Sequence, residues 1–126
     1  LCYEIIIDSL VRDMANNSQA LIVQTNSATF ANTAESAQQL AITRIRAVEH
    51  SRAILSVSTV GISALIDNNG RVVSQTAEYL QAPLTGSLEL NRHNTLANRL
   101  GIWVSVIVLI IISIFALGRT RKGRYL

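Results

Sequence analysis

The residues with the most chemical promise stand together at the start of the chain. Cys2-Tyr3-Glu4 lies inside the apolar run LCYEIII. A cysteine at a strand's end, with backbone N–H groups behind it, can attack a carbonyl and hold the acyl group as a thioester. The thiolate is the reactive form, so a nearby base or cation must lower its pKa. Taken alone, a lone cysteine beside Leu1 and Ile5 is more often a small core hydrophobe, and Tyr3 with Glu4 an ordinary half-buried pair. Cys2 is the only cysteine, which excludes an intrachain disulfide and a Cys-rich metal site. His50 and His93 share no ligand spacing, so no metal site is expected. The absence of a Gly-rich phosphate loop removes the usual nucleotide motif, and no cofactor is expected. Ser63 has no histidine at useful spacing, which argues against a serine nucleophile.

The elements that would position these residues read as a layered α/β arrangement. Leu1–Ile7 is rich in β-branched residues and reads as a strand. Asp8–Asn16 has Leu10, Val11 and Met14 at helical spacing, with Asp8 as the expected N-cap. Ala20–Gln24 is a second strand, followed by a polar loop over Thr25–Asn32. A long helix is expected from about Thr33 to Arg52, capped by Asn32 with Glu35 three residues on. Its expected buried stripe is Ala34, Ala37, Ala41, Ile45 and Val48, with Arg46, Glu49 and Arg52 pairing along one side and His50 on the surface. Ile54–Thr59 and Ile62–Ile66 follow as strands. Asp67-Asn68-Asn69-Gly70 reads as a hairpin turn, Arg71–Ser74 as its return strand and Gly86–Leu90 as a last strand.

Of the 126 residues, 49% are hydrophobic and 15% charged, but both are unevenly spread. Leu100–Gly118 has no charged residue, and as a helix it would reach roughly 28 Å, close to a bilayer's hydrocarbon core. Arg119, Arg121, Lys122 and Arg124 follow it, whereas seven arginines and eight carboxylates before it nearly cancel. The basic character is a property of the tail, so no nucleic-acid partner is expected. The basic tail is expected on the cytoplasmic side of a cell membrane and Cys2 on the other side. Trp103 then reads as an interfacial anchor. The expected division is 1–91 for the α/β part, 92–99 for a linker, 100–118 for a transmembrane helix and 119–126 for a cytoplasmic tail. A first residue that is Leu inside an apolar run suggests the C-terminal piece of a longer, multi-pass protein.

Five segments carry a family resemblance. Cys2-Tyr3-Glu4-Ile5-Ile6 resembles the nucleophile strand of the nitrilase superfamily, in the form used by its membrane-bound acyltransferases. Thr25-Asn26-x-Ala28-x-Phe30 resembles the loop after the next strand, and Arg44-x-Arg46-Ala47-x-Glu49 the R-x-R-A-x-E helix. Gly61-Ile62-Ser63-Ala64-x-Ile66-Asp67-x-x-Gly70 resembles the family hairpin. Thr95-x-x-x-Arg99-x-Gly101-x-Trp103 resembles the entry into the last membrane helix.

The resemblance implies the C-terminal part of a nitrilase-like α/β/β/α sandwich followed by one transmembrane helix. It also implies a Glu-Lys-Cys triad with Cys2 as nucleophile, Tyr3 and Glu4 shaping its site, and Asn26 and Phe30 near the substrate. The implied reaction moves an acyl chain from a phospholipid to the α-amine of an apolipoprotein's lipidated N-terminal cysteine. On a strand, Glu4 would share a face with Cys2, and the Tyr3 N–H would be placed to donate to an oxyanion. Asn26 can equally cap a turn, and Arg44, Arg46, Glu49 and Arg52 read first as a structural ion-pair network.

Ser27, Thr29 and Ala31 depart from the family's usual Asp, Trp and Gly. The sole lysine, Lys122, lies beyond the apolar run, so the triad's Glu and Lys are expected upstream of Leu1 and this piece is expected to be inactive alone. Two other readings stay open. One is a nitrilase-type amidase with a membrane anchor; the other is a non-catalytic, tail-anchored binding module.

Overall fold

A computed structural model describes residues 4–26, 28 and 33–122, with side chains described as far as residue 116. The chain runs through a 3-10 turn at Glu4–Ile6, then α1 (Asp8–Asn16), β1 (Ala20–Thr25), α2 (Glu35–His50), β2 (Ala53–Ser58), β3 (Ala64–Ile66), β4 (Val72–Gln75), α3 (Leu96–Leu100) and α4 (Trp103–Lys122). The strands form one mixed sheet in the order β1-β2-β3-β4. β1 and β2 are parallel, joined through α2, and the remaining pairs are antiparallel.

Alternation along the strands divides the sheet into two faces. Leu21, Val23, Ile54, Ala64 and Ile66 point to the helices and are buried with Ile5, Val11 and Ala47. Met14, Leu40 and Ile42 pack against this core. The register puts Ile22, Leu55 and Leu65 in one row on the opposite face, where Ile22 is exposed and Leu65 buried. Part of the cover over Leu65 is the chain near Gly86, where a Cβ would stand 2.9 Å from Leu65 Cδ1 and 3.5 Å from Val73 Cγ1. Gly86–Leu90 therefore lies close over the sheet without joining it, and the expected last strand is not formed.

The hairpin forms as expected. Asp67 Oδ1 accepts from the N–H groups of Asn69 (2.9 Å) and Arg71 (2.8 Å), and Gly70 N donates to Asp67 O at 3.0 Å. Gly70 has φ +75°, a left-handed conformation that disfavours a side chain. A Cβ there would stand 2.7 Å from Val48 Cγ2 and 2.9 Å from Arg44 O.

Other expectations need correction. Glu4–Ile6 is a 3-10 turn, not the end of a strand. Asp8 lies inside the first turn of α1; Ile7 occupies the cap position and makes no side-chain cap bond. α2 starts at Glu35 and its cap position is Ala34, again without a side-chain bond, while Asn32 lies outside the described residues. The expected stripe on α2 is on the wrong side: Ala34, Ala37, Ala41, Ile45 and Val48 are all exposed. The buried positions are Thr43, Ala47 and His50; the Thr43 hydroxyl and one ring nitrogen of His50 find partners inside. Thr43 Oγ1 donates to Gln39 O at 2.8 Å, and His50 Nδ1 bonds Asn98 Oδ1. His50 is thus a fully buried residue, not a surface one.

The segment expected to be a linker contains α3, which is fastened to the end of α2. Thr95 caps it by accepting from Asn98 N at 3.2 Å, and its hydroxyl donates to Glu49 O at 2.6 Å. Gly101, with φ +49°, ends α3. α4 then continues as one helix with apolar, exposed side chains such as Ile107, Leu109, Ile110, Ile114 and Phe115. Among the described residues no helix is long and apolar enough to cross a membrane; Trp103–Ala116, where side chains are described, spans roughly 21 Å of the ~30 Å needed.

Candidate active site

The 3-10 turn Glu4–Ile6 begins two residues after Cys2 in sequence, and its own backbone bond runs from Ile7 N to Glu4 O at 3.0 Å. Arg46, projecting from α2, reaches this turn. Its Nε donates to Ile5 O at 2.9 Å and its Nη2 to Ile6 O at 3.1 Å. Its Nη1 is shared between Asp8 Oδ1 at 2.9 Å and Glu49 Oε2 at 2.6 Å. Asp8 also pairs with Arg12 one turn along α1. The guanidinium ties α1, α2 and the turn into one unit, with carboxylates on two sides and carbonyls on the other.

Donor atoms of Asp8, Glu49 and His50 all lie within 4.8 Å of one another, the sort of cluster that can hold a cation. The positive charge there is Arg46, and His50 Nε2 stands 3.8 Å from Glu49 Oε2. A divalent ion would have to displace a guanidinium already bonded to both carboxylates. The cluster is an arginine seat.

At the ends of the parallel strands, Asn26 Oδ1 accepts from Ala28 N at 3.2 Å and from Thr59 Oγ1 at 2.9 Å. Asn26 therefore caps a turn and ties the end of β1 to the end of β2, with Thr59 N donating to Thr25 O at 3.2 Å. Ser63 Oγ accepts from Ser58 N at 2.9 Å and donates to Ser58 O at 3.3 Å. Its hydroxyl is spent on holding the β2–β3 connection together. An open cleft of about 420 Å³ sits at the other end of these strands, lined by Asn16–Gln19, Arg52 and Arg92. A second, of about 410 Å³, lies between Val57–Thr59, Ser63 and Thr76 on one side and Leu80–Pro83 on the other.

Of the residues singled out from sequence, Cys2, Tyr3 and Phe30 lie outside the described residues. Glu4 is described, half-buried, as the first residue of the 3-10 turn. The alternation that would place it beside Cys2 does not apply in a turn, so that argument falls. Arg46 and Glu49 pair as expected, but Arg52 does not join them. It turns away to donate to Ala15 O, Ser18 O, His50 O, Ser51 O, His93 O and Asn94 Oδ1. Burial pushes its guanidinium below the usual arginine range. Arg44 goes elsewhere too, donating from Nε to Gly70 O at 2.8 Å. Asp8 was missed as a site-shaping residue; its short-range signal is a helix start, and the partner that matters lies 38 positions away.

A mixed sheet with helices packed on one face makes this an α/β layer. A Saccharomyces cerevisiae protein of branch 10 of the nitrilase superfamily superposes with a TM-score of 0.51 at 20% identity, over 64% of this chain and 32% of its own. Residues 1–98 match the family described as carbon-nitrogen hydrolase, and the chain belongs to that family. Among its relatives is an apolipoprotein N-acyltransferase of Mycolicibacterium smegmatis, 36% identical over 98% of this chain and 21% of that protein. The apolipoprotein N-acyltransferase of Coxiella burnetii is 34% identical over 71% of this chain and 18% of its own length. That of Haemophilus ducreyi is 27% identical over 98% and 25%. The chain spans about a fifth to a quarter of the length of these curated relatives.

Proposed function

We propose that this chain is the nucleophile-bearing part of an apolipoprotein N-acyltransferase. The observation that carries the reading is the 36% identity to the M. smegmatis enzyme over 98% of this chain, which runs through the α/β part and on into α4. Cys2 Sγ, as thiolate, attacks the ester carbonyl of a phospholipid acyl chain. The ester C–O bond breaks, a lysophospholipid leaves after taking up a proton, and the acyl group stays on sulfur as a thioester. The free α-amine of a lipoprotein's diacylglyceryl-cysteine then attacks the thioester. An amide forms, the amine loses a proton and the thiolate is restored.

The Tyr3 N–H is suited to receive the developing oxyanion, and Glu4, Asn26 and Phe30 frame the site. The charge-stabilising lysine lies outside residues 1–126, since Lys122 is the sole lysine and lies beyond the apolar run, and we assign the general-base glutamate to the same outside part. We place residues 100–118 across the cell membrane, with 1–91 outside the cytoplasm, 92–99 joining them and 119–126 inside. The support is the charge-free sequence over 100–118 and the basic residues that follow it.

The test uses the full-length protein in proteoliposomes with phospholipid labelled in its acyl chain. Label should accumulate on Cys2, and neutral hydroxylamine should release it. Cys2→Ala should abolish both label and transfer while the protein stays folded. Undiminished transfer by Cys2→Ala would overturn the assignment.

A further inference from the structure

Arg46 spends every side-chain nitrogen on the segment that follows Cys2 and on its immediate supports. Nε and Nη2 hold two consecutive carbonyls, Ile5 O at 2.9 Å and Ile6 O at 3.1 Å. Nη1 is held in turn by Asp8 and Glu49. Its side chain is only 13% exposed, so these bonds face little competition from water. A three-residue 3-10 turn has scant stability of its own; the fork of a guanidinium can impose the orientation of two peptide planes at once, which an ammonium cannot. The turn begins two residues after Cys2, so fixing it restricts where the chain can place that residue. Asp8 and Glu49 offset the charges of Arg46 and Arg12, so what Arg46 contributes is position.

We propose that Arg46 is a positioning residue for the acylation of Cys2, acting through the carbonyls of Ile5 and Ile6. The inference rests on the thioester reading of Cys2 given above. A misplacement of about an ångström at a reacting atom lowers a rate by roughly a hundredfold, so losing the fork should slow the acyl-transfer step and leave lipid binding alone.

The experiment compares Arg46→Lys and Arg46→Ala with Arg44→Lys and Arg44→Ala in the full-length protein, by single-turnover acylation of Cys2 from labelled phospholipid. Arg44 sits two residues earlier on α2, on a different face, and holds Gly70 O at the hairpin, so it reports the general cost of losing an arginine from this helix. Arg46→Lys should lower the maximal acylation rate by about 30-fold or more, with the half-saturating phospholipid concentration nearly unchanged. Arg44→Lys should stay within about threefold of the parent. Millimolar guanidinium should restore acylation to Arg46→Ala but not to Arg44→Ala, since a free guanidinium can occupy only the first vacancy with two carbonyls to hold. Parent-like acylation by Arg46→Lys would overturn the proposal. So would a loss that matches a fall in folded fraction by thermal melting and shows no guanidinium rescue. Failure of the thioester reading is separately visible, as transfer that survives Cys2→Ala.

Discussion

Arg52 shows how a cation can be made part of a core. Only 1% of its surface is exposed, and it has no carboxylate partner among its hydrogen bonds. Backbone carbonyls from the end of α1, the end of α2 and the segment before α3 receive its donors instead. Burial disfavours the charged form and lowers its pKa, while the carbonyl bonds offset the desolvation. An arginine starts from so high a pKa that it stays charged throughout about pH 5–9, and its contribution should not titrate in that range. Arg52→Met removes the donors and leaves several buried carbonyls unpaired. We expect a loss of roughly 3–5 kcal/mol, read from the denaturant midpoint of the full-length protein. Arg52→Lys should recover only part of it, because one ammonium cannot reach carbonyls on three segments. A change under about 0.5 kcal/mol would mean water replaces the arginine there.

Among the elements, the β3–β4 hairpin makes the sharpest stability test. Gly70→Val places a branched side chain at φ +75°, against Val48 and the Arg44 carbonyl. The strain alone costs roughly 1–3 kcal/mol, and the contact with backbone can only add to it. Asn69→Ala, at the exposed neighbour, should lower the thermal midpoint far less; equal effects would show that the turn tolerates the side chain. This hairpin was legible in the sequence because its information is local: an aspartate that caps, then Asn-Gly. α1 and β1 were legible for the same reason, through spacing and β-branched content. The inward side of α2 was not. Apolar counting selects Ala37, Ala41, Ile45 and Val48, yet Ile45 is 64% and Val48 54% exposed. Thr43 and His50 take the inside because each finds a partner there, and the partner of His50 lies 48 residues on. The turn after Cys2 was misread as strand for a similar reason. Ile5, Ile6 and Ile7 favour extended chain, but Arg46, some 40 positions away, holds the carbonyls in a turn. Motif spacing identified Arg46 and Glu49, and could not say that Arg44 and Arg52 face different neighbours.

Among the described residues the sheet has one packed face and one only partly covered. The side of the sheet toward α1 and α2 is packed, while Ile22 and Val57 on the other side remain exposed. In the sandwich that the family resemblance implies, a second sheet would cover such a face. The proposed membrane arrangement is testable at the same scale. Arg119, Arg121, Lys122 and Arg124 follow the apolar run, against Arg92 and Arg99 just before it, so the tail should face the cytoplasm. A cysteine introduced by Gly123→Cys should resist a membrane-impermeant thiol reagent in intact cells and react after permeabilisation; ready labelling of intact cells would reverse the orientation. The join between α3 and α4 has a consequence of its own. Gly101 and Ile102 are the two residues between these helices, a leash of about 7 Å at full stretch, and Thr95 and Asn98 moor its near end to α2. If α4 is held in a bilayer, a leash this short keeps the α/β layer at a near-constant height above the lipid. Under the proposed function, substrates confined to that plane would then meet this layer by lateral diffusion, and their surface density, not their bulk concentration, would set the rate of encounter.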